Sequence, residues 1–197
     1  MHNQIHIEIS IKMKKIICIS LILCFISTVC SAQINEMKFV GVPMNQHYTS
    51  FIEQLKEKGF SYSPKQTKWD FKGYDCITLK GDFWQFKDCE IRVKYSILKG
   101  NVASVAVRKE NFSVWKNKVY ELMNNLDIKY GNRIEVENSD YISRYRWLST
   151  DPAGMVNVLW TMISNIDFFM IEYFTTEETT KILNKEIEDK KKELEGL

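Results

Sequence analysis

Cys89-Glu90-Ile91-Arg92-Val93-Lys94-Tyr95-Ser96-Ile97-Leu98-Lys99-Gly100-Asn101-Val102-Ala103-Ser104-Val105-Ala106-Val107-Arg108 is the stretch on which the fold turns. Ile91, Val93, Tyr95 and Ile97 in its first half, and Ala103, Val105 and Val107 in its second, alternate with Arg92, Lys94, Ser104 and Arg108. Successive side chains of a strand leave opposite faces, so this period of two marks strands with one buried and one wet face. Runs over 89–98 and 102–109 on either side of Lys99-Gly100-Asn101 therefore form an antiparallel hairpin.

Working outward, the spacing predicts a strand near 74–84 and, before it, a helix over 48–58. Tyr48, Phe51, Ile52 and Leu55 share one face of that helix and Gly59 stops it. A first short strand over 37–42 is closed by Pro43. On the other side, Phe112, Trp115, Val119, Leu122 and Leu126 step by three and four through a helix over 112–129, which Gly131 ends. Strands follow over 141–148, 155–163 and 166–174, with a turn at Asp151-Pro152-Ala153-Gly154. A last helix over 176–194 carries Ile182, Leu183, Ile187 and Leu194, and Thr175 with Glu178 suits a capping box at its start. The expected class is α+β: an antiparallel sheet built from two helix–strand–strand–strand pseudo-repeats, with helices on one side and a C-terminal helix. The two units share helix ends of the form Lys58-Gly59-Phe60 and Lys129-Tyr130-Gly131.

The last hairpin departs from simple alternation. Val156, Val158, Trp160 and Met162 face Met155, Leu159 and Ile163 across the strand, and Phe168, Met170 and Phe174 oppose Phe169, Ile171 and Tyr173 in the next. Large exposed apolar patches are rare, so the second face needs a cover. The C-terminal helix is the first candidate, and a partner protein or ligand the second.

Residues 13–32 read as an address. Lys14 and Lys15 precede a charge-free apolar run from Ile16 to Val29, and Cys30-Ser31-Ala32 offers small residues for cleavage. Residues 1–32 are thus a leader, with 1–12 upstream of a natural start at Met13, and 33–197 a single secreted domain. The apolar run is shorter than the ~20 residues that span a bilayer. Val29 before Cys30 argues against a lipid anchor there. The expected location is the periplasm or the cell exterior. The whole chain has 27 basic and 25 acidic residues. Losing Lys12, Lys14, Lys15 and Glu8 with the leader leaves 24 of each. A neutral domain offers no electrostatic footprint for nucleic acid.

The same cleavage leaves Cys76 and Cys89 as the only cysteines. In an oxidising compartment they are a candidate disulfide, with two reduced core cysteines as the alternative. Beyond the leader there is one histidine, His47, and no histidine or cysteine spacing for zinc. No phosphate loop and no nucleophile elbow occurs. Asp70, Asp75, Asp82 and Asp88 lack the spacing of a calcium loop and read as turn residues. No catalytic residue, metal or cofactor is nominated. The functional lead is aromatic: Trp69, Phe71, Trp84 and Phe86, in a run with Tyr74 and Phe83, either line a recognition surface or belong to the core.

Phe39-Val40-Gly41-Val42-Pro43-Met44, Lys56-Glu57-Lys58-Gly59-Phe60, Leu79-Lys80-Gly81-Asp82-Phe83-Trp84 and Asp88-Cys89-Glu90-Ile91-Arg92-Val93 carry a resemblance, as does the helix end from Leu126 to Gly131. The chain resembles uncharacterised small secreted proteins of Gram-negative gut bacteria, a likeness that implies no activity or site. In architecture alone, tandem helix-plus-antiparallel-sheet units resemble β-lactamase inhibitory proteins. The expected function is an exported non-enzymatic binding module that engages a protein or peptide through an aromatic sheet surface. The alternative is an envelope hydrolase acting on glycan or peptide, its acids among the turn aspartates and His47 as a base.

Overall fold

The computed structural model describes residues 36–64, 73–163 and 166–195. Residues 1–32, expected to be a leader, and Trp69, Asp70 and Phe71 lie outside the described residues. Residues expected to form one strand over 37–42 form instead a tiny hairpin, β1 (Lys38–Phe39) and β2 (Val42–Pro43). Val40 (φ 45) and Gly41 (φ 84) both adopt left-handed backbone at its tip, the conformation a two-residue hairpin turn demands. Helix α1 (Tyr48–Glu57) follows, with the His47 ring accepting from the Thr49 N–H at its start. Then come β3 (Ser61–Tyr62), β4 (Tyr74–Phe83), β5 (Phe86–Ser96) and β6 (Val102–Glu110).

Helix α2 (Phe112–Tyr130) is capped from a distance: the Asp167 carboxylate accepts from the Ser113 N–H at 3.2 Å and from its hydroxyl at 2.5 Å. Strands β7 (Ile134–Asn138), β8 (Ile142–Thr150), β9 (Ala153–Ile163) and β10 (Ile166–Phe174) lead into α3 (Thr176–Glu195). The expected capping box is half made. Thr175 Oγ1 accepts from the Glu178 N–H at 3.4 Å, but the Thr175 N–H is taken by the Ala103 carbonyl and the Glu178 carboxylate turns to β4 and β5.

The fold class holds: an α+β domain with one eight-stranded antiparallel sheet, ordered β3-β4-β5-β6-β10-β9-β8-β7, beside the β1–β2 pair. Each of α1 and α2 is followed by four antiparallel strands, one more than expected. The additional strands, β3 and β7, are the two edges. The two runs meet where β6 pairs with β10, Val105 opposite Tyr173 and Val107 opposite Ile171.

Strands β4 to β6 and β8 to β10 divide their residues between two unlike faces. The first carries Leu79, Ile91, Val93, Val105, Val107, Val156, Val158, Phe169 and Ile171, all buried beneath α1, α2 and the β1–β2 hairpin. Aromatic rings mesh there: Phe112 stacks on Trp160 at 5.0 Å, Phe39 on Phe83 at 5.6 Å, and Phe86 meets Phe169 at 4.6 Å. Each such side chain taken from water stabilises the fold by roughly 1.5–3 kcal/mol. Trp147, also fully buried, keeps its indole N–H satisfied by Asp127 at 2.9 Å. Gly81 is needed where β4 passes the Phe60 ring, since a Cβ there would lie 2.3 Å from it.

The second face carries α3, the cover expected from the two-sided apolar pattern. Its attachment is ionic. Glu178 pairs with Lys94 at 2.8 Å near the first turn. About two turns along, Glu186 takes a two-pronged hydrogen bond from Arg146, at 2.8 and 2.9 Å. Ile182 and Leu183 are only half-buried and Ile187 is 52 % exposed. The apolar stripe of α3 is thus only partly buried against the sheet, and charged contacts hold both ends of the segment from 178 to 186.

Candidate functional site

The second face is not wet, as alternation alone suggests. Thr78 and Ser104 are buried and Arg92 and Lys94 half-buried. Register places these groups side by side: Thr78, Arg92, Ala106, Glu172, Asn157 and Arg146 fall in one row across six strands. In the part of this face formed by β4, β5, β6 and β10 lies a depression of about 140 Å³. Ala106 and Met170 form its apolar floor, and Cys76, Arg92, Lys94, Ser104 and Glu172 stand around it.

Glu172 is the unusual member, a carboxyl amid Phe168-Phe169-Met170-Ile171 and Tyr173-Phe174. Burial raises its pKa above the ordinary carboxylate value, with Glu178 adding to the effect. The hydroxyl of Ser104, donating at 2.7 Å, and the charges of Lys94 and Arg92 oppose that rise without reversing it. Lys94 is caged by Glu178 and by the rings of Tyr74, 4.8 Å away, and Phe174, 5.9 Å away. Arg92 pairs with Glu90 at the rim. Burial pushes the Cys76 thiol up to about 11, Arg92 lowering it in part. That thiol stays protonated at neutral pH and is a poor nucleophile.

The disulfide expectation is corrected: Cys76 and Cys89 are free thiols. Cys76 pairs in register with Lys94 on the second face, whereas Cys89 pairs with Gly81 and is buried with Ile91 and Val93 on the first. Side chains leaving opposite faces of one sheet cannot meet the geometry of a bridge.

Trp84 and Phe86 are separated by burial. Trp84 sits at the β4–β5 turn with left-handed backbone (φ 53) and is 40 % exposed. Phe86 is fully buried between Trp115 and Phe169. His47 is occupied at the start of α1. Asp75 accepts from the Tyr95 hydroxyl at 3.0 Å. Asp82 holds Lys87 at 2.6 Å and the Asp88 N–H at 3.1 Å. These are local turn and strand contacts, and among the described residues no group of histidine, cysteine or carboxylate side chains could hold a metal ion.

Sequence reasoning missed Glu172, Arg92, Lys94 and Ser104 as a set. One signal was available, a lone acid inside an apolar strand. Among the described residues no helix is long and apolar enough to cross a membrane. Comparison with protein-family models, curated proteins and solved structures finds no match.

Proposed function

We propose that the chain is an exported, non-enzymatic binding module, made of two related helix-plus-strands units, that receives a protein or peptide on the second face of its sheet. One observation carries this reading. Lys80, Glu90, Arg108, Met170, Leu159 and Arg144 lie in register across six strands, a pair of aliphatic side chains flanked by charged ones. Among the described residues no α3 side chain hydrogen-bonds or ion-pairs with that row. Its members other than exposed Lys80 are half-buried, and Arg108 lies over the Phe168 ring at 4.5 Å. Mixed apolar and charged surface held on rigid strands suits recognition of another chain. The hydrolase alternative has less to work with: a protonated thiol, a histidine engaged at a helix start, and a single acid with a raised pKa in the depression.

A photo-reactive amino acid placed at position 108, with position 116 on exposed α2 surface as the control, tests the proposal in the native host. The expected result is one protein adduct from 108 and none from 116. Equal labelling from both positions, or none from 108, overturns it.

A further inference from the structure

We infer that the depression floored by Ala106 and Met170 is a binding site for an aliphatic carboxylate, held by Arg92 and Lys94 with Glu172 as a hydrogen-bond donor. The inference rests on the reading of the second face as a recognition surface and names the chemistry of one position within it.

The argument begins with donors and acceptors. An arginine and a lysine offer only N–H groups. Ser104 donates to one oxygen of Glu172, so a proton on that carboxyl resides on the other oxygen and is available as a further donor. The raised pKa of Glu172 keeps the proton there to higher pH than in an exposed glutamate. The Cys76 thiol, likewise protonated, donates weakly to the Ile77 carbonyl at 3.9 Å and adds only its apolar stem. A site whose inner groups donate calls for an acceptor. Glu90 and Glu178, the acids of the surroundings, each hold one of the two cations from the rim.

While Glu172 is protonated, two cations and two rim anions leave the surroundings near zero charge. That favours a monoanion over a phosphate dianion, because each charge brought into half-buried surroundings costs solvation. Ala106, Met170 and the stem of Cys76 add an apolar floor, which suits a short carbon chain behind the anion. The volume admits several water-sized groups. A peptide C-terminus with a small side chain and a free short-chain acid share this chemistry.

Calorimetric titration of the mature protein tests the inference. The probes are butyrate, N-acetyl-Ala-Val with a free C-terminus, the same peptide as its amide, and inorganic phosphate. Butyrate or the free-acid peptide should bind, and whichever is tighter identifies the source of the carboxylate. Affinity should fall as pH rises through the raised pKa of Glu172, as that carboxyl turns from a donor into an anion that repels the ligand. Lys94, Arg92 and Ser104 from the strands and Glu178 from α3 face that carboxyl throughout.

Glu172→Gln keeps a donor without a titration, so it should retain binding and lose the pH dependence. Arg92→Gln should weaken binding about tenfold, as expected when one charge-assisted hydrogen bond is lost. Lys116→Gln, on exposed α2 surface, should change nothing. Equal binding of acid and amide, equal binding of phosphate, no binding of either acid, or an unchanged pH profile in Glu172→Gln each overturns the inference. If position 108 still cross-links to a partner in those cases, the module reading stands without the carboxylate site.

Discussion

The two faces of the sheet share the same backbone and the same strands, yet they are held by different forces. The first is closed by two helices and a hairpin over apolar side chains, with aromatic rings meshed in its centre. The second is crossed by one helix that ion pairs from Lys94, Lys99 and Arg146 tie down, and it carries arginine, lysine, glutamate, serine and threonine side chains. Burial of apolar area is non-directional and supplies most of the stability. Hydrogen-bonded charges contribute little net energy but fix orientation, and they leave groups able to respond to ligand and pH. A domain can therefore use one face to stay folded and keep the other for recognition.

The largest expected effect falls on the first face. Phe86→Ala removes a fully buried ring and should lower unfolding free energy by ~3–5 kcal/mol in a denaturant titration. A loss below about 1 kcal/mol would mean that the first face does not carry the stability. Arg146→Ala on the second face should cost less, about 1–3 kcal/mol, much of it from the hydrogen bonds lost by Asn157 and Glu186. Hydrogen exchange should then speed up in the second half of α3 and not in α2. Uniform acceleration of both helices would erase the distinction between the faces.

Thr175→Ala removes one cap contact at the head of α3 and should cost about 1 kcal/mol by thermal melting. Acid and base should act on the second face in opposite directions. Glu172 has a raised pKa in the fold, so its contribution is fully present below the ordinary glutamate value of 4.5 and lost as pH rises through the folded value. Glu186 is lowered, chiefly by the hydrogen bond from Arg146, so its contribution is present above 4.5 and lost on acidification. Glu172→Gln should flatten the decline in stability on the alkaline side, and Glu186→Gln should flatten the acid limb. The smallest effect belongs to Trp84→Ala, within about 0.5 kcal/mol, since exposed positions away from caps and cores tolerate truncation. A loss comparable to that of Phe86→Ala would make the turn part of the core.

The 89–109 hairpin was legible because Ile91, Val93, Val105 and Val107 lie on the core face and report it directly. Strand β7 was not. Its Ile134 and Val136 alternate with glutamates, but all five residues are exposed at a sheet edge, so no burial reinforces the pattern. Trp84 and Phe86 could not be separated, because left-handed residues at 84 and 88 break the alternation on which a face is read. The cysteines stayed open between a bond and two thiols for a related reason. Their assignment to one bond needed the register of β4 against β5, which pairs Cys76 with Lys94 and Cys89 with Gly81.

Periodicity and turn residues by themselves determined the class of the domain, its antiparallel strands and the three helices among the described residues, and the apolar pattern that demands cover on two faces. These are local properties, written in spacings of two and of three to four residues. Tertiary structure alone decided that β6 pairs with β10. That single non-local pairing brings Arg92 and Lys94 of β5 and Ser104 of β6 beside Glu172 of β10, across more than sixty residues of chain. The depression exists because strand order, which no local pattern encodes, sets these four groups on one face and leads α3 away towards β8.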